Sequence, residues 1–195
     1  MLHLSTVEST TLELLKKLQQ LPVLCNTRLV GGTALALQLG HRKSVDLDFF
    51  GQINVDSQDL KEALRTLGTL TILNDSKNIH IYVLNEVKID IVNYTYPWLD
   101  DVVYKDGIRL ASPRDIAAMK ITAIEGRGTK KDFVDIYFLL KKYSLDFYSQ
   151  KYPDSSSFMA MKSLAYFEDA EEEPMPYMFV DVSWDEIKKS ILSRL

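Results

Sequence analysis

The sequence predicts an α+β fold, a mixed sheet flanked by helices and followed by a small C-terminal helical region. Up to residue 111, short runs with two-residue alternation are interleaved with segments of near-helical apolar spacing. From Ser112 onward the pattern turns helical. A chain of 195 residues with 46% hydrophobic and 26% charged residues also has enough apolar surface for one core, or a core with a modest appendage. The expected organisation is therefore an α/β core over 1–111 and a helical region over 112–195 packed on it.

Ser5-Thr6-Val7-Glu8 has the spacing of a capping box, and Leu12, Leu14, Leu15 and Leu18 follow at near-helical intervals, predicting a first helix to about Gln20 that Pro22 ends. Arg28-Leu29-Val30 is a short strand running into Gly31-Gly32, and Thr33 opens an Ala/Leu-rich helix that closes near Gly40. The next strand is Asp46-Leu47-Asp48-Phe49-Phe50. Residues two apart share a face of a strand, so Asp46 and Asp48 point one way while Leu47 and Phe49 point into the core.

Asp56-Ser57 offers a cap for a helix holding Leu60, Ala63, Leu64 and Leu67, closed by Gly68. Strand-like runs at 70–73, 79–84 and 87–92 are separated by Asn74-Asp75-Ser76 and Asn85-Glu86, which is turn material and predicts an antiparallel meander. In the third run Val87, Ile89 and Ile91 share one face, and Lys88 and Asp90 the other. Asp90 is therefore expected beside Asp46 and Asp48 on the open side of the sheet. Ile108-Arg109-Leu110 is a last short strand.

Ser112 as cap, Pro113 at the first helical position and Asp115 in the first turn start a helix that runs to Gly126. Thr129 is expected to cap a second helix, with Phe133, Ile136, Tyr137 and Leu140 inward. Residues 155–166 read as helical and 168–176 as an extended acidic connector. Ser183-Trp184-Asp185-Glu186 is a capping box opening a final helix to Leu195.

Composition narrows the function classes. A single cysteine, Cys25, excludes an internal disulfide and any multi-thiolate zinc site, and its simplest reading is a small core residue. His3, His41 and His80 do not form a ligand spacing. The net charge of -4 argues against wholesale nucleic-acid binding but leaves room for a local basic patch. Lys130, Lys131, Lys141 and Lys142 read as such a patch or as a solvated helix face. No apolar run approaches the roughly 18 to 20 residues of a membrane span, and Met1-Leu2-His3-Leu4 lacks a signal-peptide pattern, so a cytoplasmic chain with no membrane partner is expected.

A glycine turn leading into a helix lets backbone N–H groups approach phosphate oxygens, and Thr33 adds a hydroxyl donor. Asp46 and Asp48 suit Mg2+, with Mn2+ as an alternative, because such ions take a few carboxylates plus bridging phosphates. Asp90 would complete a two-metal site. Taken singly, Gly-Gly is also a plain turn, and Asp-x-Asp is also a solvated edge or a calcium loop. In combination the pieces form a layout for nucleotidyl transfer.

Gly32-Thr33, twelve residues, Asp46-Leu47-Asp48 and the later Ile89-Asp90-Ile91 resemble the signature of the nucleotidyltransferase (polymerase β-like) superfamily. Three longer stretches resemble the AbiEii/AbiGii toxin family more closely: 31–37 with 42–50, Arg127-Gly128-Thr129-Lys130-Lys131-Asp132-Phe133-Val134-Asp135-Ile136-Tyr137, and 166–176 with Trp184. The resemblance implies a nucleotidyltransferase fold with Asp46, Asp48 and Asp90 as metal ligands and Asp90 as the base for the acceptor hydroxyl. It implies that Lys120 and Arg127 hold triphosphate and that Asp132 orients a basic side chain. Simple helix capping by Thr129 and Asp132 is the other reading. Gly31, Gly32, Thr33, Arg42 and Ser44 complete the nucleotide-binding set, with Arg42 on phosphate or in an ion pair with a neighbouring acid.

The implied activity is Mg2+-dependent transfer of NMP from an NTP to an acceptor hydroxyl, a tRNA 3′ end first and a protein side chain second. The implied setting is a toxin of a toxin–antitoxin or phage-defence system, with a cognate antitoxin as partner. A catalytically silent nucleotide- or partner-binding module is the rival, and a metal-dependent phosphotransferase the third reading. Thr33 stands where the family often has serine, and many tRNA-modifying members carry a larger C-terminal helical region, so the resemblance does not fix the acceptor.

Overall fold

The computed structural model describes residues 1–195, which divide into two compact units. The first comprises Met1–Gly40, Ser44–Tyr96 and Val102–Ala111, and the second His41–Lys43, Pro97–Asp101 and Ser112–Leu195. No helix is long and apolar enough to cross a membrane.

The first unit is built on seven strands: β1 (Thr27–Val30), β2 (Leu47–Gly51), β3 (Leu70–Asp75), β4 (Ile79–Leu84), β5 (Val87–Asn93), β6 (Val103–Lys105) and β7 (Ile108–Leu110). They form one sheet in the order β3-β4-β5-β2-β1-β7-β6. It is mixed, as an α+β fold requires: β2 runs parallel to β5 and β1 to β7, while the other neighbours are antiparallel. The expected meander is β3-β4-β5. Strand β6 was not expected; Asp106 and Gly107, both at positive φ, turn it tightly into β7.

Alternation decides which face is core. Leu29, Leu47, Phe49, Tyr82, Leu84, Ile89 and Ile91 share one face and are all fully buried, each such side chain contributing about 1.5–3 kcal/mol. Helices α1 (Ser9–Gln20), α2 (Gly31–Leu39) and α3 (Ser57–Arg65) contact the sheet. Helix α2 is almost wholly buried from Gly32 to Leu37 and stops where Gly40 turns left-handed. Asp56 caps α3 by accepting from the N–H groups of Gln58 and Asp59.

Two expectations fail here. The proposed Ser5–Glu8 box is not a cap, because residues Leu4–Thr6 wind into a 3-10 turn in which Thr6 donates to the His3 carbonyl, and α1 starts at Ser9. Cys25 is exposed rather than core: it follows a second 3-10 turn, Pro22–Leu24, whose inward position is taken by Leu24.

The second unit is helical: α4 (Pro113–Gly126), α5 (Lys130–Leu140), α6 (Asp146–Lys151), α7 (Ser157–Leu164), α8 (Glu168–Glu171) and α9 (Trp184–Leu192). Helices α5, α6 and α7 pack on α4, and α9 packs on α5. Ser112 and Ser183 cap α4 and α9 by accepting from Asp115 N–H and Glu186 N–H, as their spacing predicts. Asp115, fully buried, is held by Lys151 at 2.6 Å and by the Leu99 N–H at 2.9 Å.

The acidic stretch is not an extended connector. Its first half is helix α8, Ala170 is buried, and Glu171 accepts from Trp184 Nε1 (2.9 Å) and Lys188 Nζ (3.0 Å). Lys130 belongs to no basic patch either: it is buried, donates to the Glu171 carbonyl and lies 4.9 Å from the Trp184 ring.

Candidate active site

Asp48 of β2 and Asp90 of β5 are register partners, just as Leu47 pairs with Ile89 beside them. Leu47 and Ile89 are fully buried, so the two aspartates must emerge on the opposite face, where both are half-buried. Asp46 lies one residue ahead of β2, outside the ladder, and is half-buried as well.

The turn preceding α2 is shaped around this carboxylate. Gly31 has φ +68°, and a Cβ built there would collide with Asp48 Oδ2 and Cγ. Glycine thus lets the Asp48 carboxylate lie directly against the start of the helix. Thr33, expected to offer its hydroxyl to phosphate, is instead fully buried: it donates to the Asp46 carbonyl and sits 2.9 Å from Ser44 Oγ. Thr33 and Ser44 therefore fasten the segment that delivers Asp46 to the strand.

Lys88 is a site residue that the chemistry of the motifs did not single out. Its Nζ donates to both Asp90 oxygens, at 2.6 and 2.8 Å, while the side chain stays 41% exposed. The signal was available, since alternation already put Lys88 on the face of Asp90.

The residues of this face suit a divalent cation, although no three His, Cys, Asp or Glu side chains are gathered into a set that could hold one unaided. Mg2+ asks for little more than one or two carboxylates, the remaining positions going to water and substrate phosphate. The paired Asp48 and Asp90, with Asp48 seated in a cradle that any Cβ at position 31 would fill, meet that demand.

Arg42, Lys120, Arg127 and Asp132 belong to the second unit, where the organising group is a residue the sequence reading passed over. Asp135, fully buried on α5, accepts from Arg42 Nε (2.7 Å) and Nη2 (2.8 Å), from His41 Nε2 (2.8 Å) and from Lys120 Nζ (2.7 Å). Burial alone would push its carboxyl up, but the Lys120 and Arg42 charges and the hydrogen bonds from Arg42 and His41 hold it well below the usual range. Lys120 also donates to Asp132 at 2.8 Å. Burial works against its charge, and the Asp135 and Asp132 charges outweigh it, raising the ammonium above its ordinary value. In Asp132 the same contest of burial against Lys120 leaves the carboxyl lowered.

Of the two readings of Arg42, phosphate contact or ion pair with an acid, the structure shows the second: a bidentate pair with Asp135, 93 residues away in sequence, with Arg42 almost completely buried. Thr129 does not cap α5 through its side chain; its hydroxyl donates to Asp132 Oδ2 instead. Arg127 differs from the rest, with its side chain 65% exposed and only a 3.6 Å approach to Asp132. The signal for Asp135 lay in Asp132-Phe133-Val134-Asp135, since acids three apart share a helix face.

Comparison with known proteins agrees with this fold. The chain is 36% identical over 187 residues to protein aq_aa25 of Aquifex aeolicus, covering 91% of this chain and 90% of that one. Among solved structures, JHP933 of Helicobacter pylori superposes with a TM-score of 0.57 at 22% identity, covering 95% of this chain and 89% of that one. The nucleotidyltransferase toxin MenT4 of Mycobacterium tuberculosis does so with a TM-score of 0.53 at 13% identity, covering 96% and 84%. The model of the AbiEii nucleotidyl transferase toxin family, type IV toxin–antitoxin system, matches residues 13–172. With a mixed sheet, paired strand carboxylates behind a glycine turn and a match over most of its length, the chain belongs to the AbiEii nucleotidyltransferase toxin family.

Proposed function

We propose that this protein transfers NMP from an NTP to an acceptor hydroxyl in a Mg2+-dependent reaction that breaks the α–β phosphoanhydride bond and releases pyrophosphate. The observation that carries the reading is the in-register pairing of Asp48 with Asp90, beside a glycine turn into which the Asp48 carboxylate fits. Asp48 and Asp90 would hold Mg2+, or Mn2+ in its place, with water and substrate phosphate completing its shell, and Asp46, one residue ahead of β2, is proposed as a third acid beside them. Such an ion, when bound, supplies a Lewis acid for phosphoryl oxygens and favours ionisation of the attacking hydroxyl.

The backbone N–H groups of Gly31 and Gly32, at the N-terminus of α2, bind the triphosphate, and Thr33 and Ser44 keep the following segment in place. Lys88 holds Asp90 on the sheet face, and Asp90 takes the proton of the acceptor hydroxyl once that contact opens. Arg127, the exposed cation of its cluster, binds phosphate. Lys120, with Asp132 orienting it, supplies positive charge, and Asp135, itself paired with Arg42, positions Lys120. The leading acceptor is a tRNA 3′ end and the second a protein side chain, with a cognate antitoxin as the proposed partner and the cytoplasm as the proposed location.

The test incubates the full chain with Mg2+, each labelled NTP and total tRNA, with the Asp46→Ala/Asp48→Ala double variant as control. Label is expected on tRNA with the wild type and not with the double variant. Transfer that survives both substitutions overturns the site. Tight NTP binding without product across a broad acceptor screen would support a silent binding module instead, and a phosphate rather than nucleotide mass adduct a phosphotransferase.

A further inference from the structure

Beyond the carboxylates, the same sheet face carries a run of aromatic rings. Phe50 lies two residues past Asp48 on β2, hence on the same face and roughly 7 Å further along the strand. Its ring centroid is 5.4 Å from that of Tyr94, which is 5.5 Å from that of Tyr96, and both pairs are tilted rather than edge-on.

The backbone fixes this run. Gly51 and Asn93 are the last register partners of the parallel pair β2 and β5, and Tyr94 N–H then donates to the Gly51 carbonyl at 2.9 Å. The rings therefore stand at the carboxyl ends of the two strands that carry Asp48 and Asp90. Phe50 is half-buried, Tyr94 is buried at 9% exposure, and Tyr96 stands out at 55%. Arg28, the register partner of Phe50, adds a guanidinium to this face.

We propose that Phe50, Tyr94 and Tyr96 form a stacking platform for a nucleobase, that of the incoming NTP. The proposal rests on the nucleotidyl-transfer reading above. A nucleotide with its phosphates at the carboxylates must place its base within one nucleotide's length of them, and the ring run begins at about that distance. Every base has a π-face, so the platform contributes affinity for all four NTPs rather than choosing among them.

Isothermal titration of the full chain with ATP, CTP, GTP, UTP and inorganic triphosphate, each with Mg2+, separates the two halves of the site. Tyr96→Ala is expected to weaken every NTP on the order of tenfold and to leave triphosphate binding unchanged, while Tyr96→Phe keeps the wild-type affinities. Unchanged NTP affinity in Tyr96→Ala overturns the platform, and so does an equal loss for triphosphate. A third arm compares RNA oligonucleotides ending in a base or in an abasic residue; a Tyr96→Ala loss confined to the base-ended RNA overturns the assignment to the NTP. Wild-type protein that binds neither NTP nor triphosphate overturns the transfer reading itself.

Discussion

Asp48 and Asp90 face each other across a parallel strand pair, and each directly follows a fully buried residue, Leu47 and Ile89. The core thereby sets the site: slipping either strand by one residue would bury its carboxylate and expose its apolar partner. Because the carboxylates themselves are only half-buried, chemistry and stability can be separated here. Asp48→Asn keeps the shape and removes one charge. NMP transfer should fall at least about 100-fold, while the unfolding free energy from urea titration stays within about 0.5 kcal/mol of wild type. A variant that unfolds, or one that retains full transfer, would contradict this division.

Gly31 offers a second, independent handle on the same carboxylate. An alanine there meets the Asp48 carboxylate and must also hold φ at +68°. The backbone penalty alone is about 1–2 kcal/mol, which for a chain of this length lowers Tm by a few degrees, roughly 2–8 °C. The displaced carboxylate should cost more in function than in stability. Activity per folded molecule, scaled by the circular dichroism signal at the assay temperature, should drop about tenfold or more in Gly31→Ala. Proportional losses of activity and folded fraction would instead make Gly31 a purely structural turn.

How far the sequence reached follows from the range of each interaction. Two-residue alternation was enough to place Asp48 and Asp90 on one face, and serine caps were enough to start α4 and α9, because those signals are local. Arg42 and Asp135 lie 93 residues apart, so nothing near Arg42 announces that a buried carboxylate will claim its guanidinium. The run at 168–176, expected to be an extended connector, departs for a related reason: composition records its charge but not that Trp184 and Lys188 donate to Glu171. Strand β6 is only three residues long, and its clearest sign was the Asp106-Gly107 turn.

The Asp135 cluster should behave as a buried ion network, costly to break by halves. Asp135→Leu leaves Arg42 without its bidentate partner and Lys120 with Asp132 alone, so a loss of about 3–5 kcal/mol is expected. Replacing the pair together, Arg42→Met with Asp135→Leu, removes the stranded charge and should recover part of that loss. Urea unfolding of both variants measures this. A double variant as unstable as the single one, or less stable, would show that Arg42 contributes through its other contacts, such as the bond to the Lys43 carbonyl, rather than through the pair.

At the far edge of the sheet, Asp75 gathers Ser57, Lys61 at 2.9 Å, His80 at 2.6 Å and Tyr82 at 3.0 Å. The Ser57 and Lys61 hydrogen bonds lead in holding its carboxyl far below the ordinary value, against the opposing effect of burial. Since the folded pKa is depressed, ionised Asp75 stabilises the fold fully above the unfolded carboxylate pKa of about 3.9, and that contribution is lost as pH falls below it. Asp75→Asn should therefore be less stable than wild type at neutral pH by about 1 kcal/mol, a figure kept small because the site is partly solvated. The gap should narrow on acidification through about pH 4 and below. Urea midpoints for both proteins across that range provide the measurement. Parallel curves would mean that the Asp75 contacts hold the edge strand by shape and not by charge.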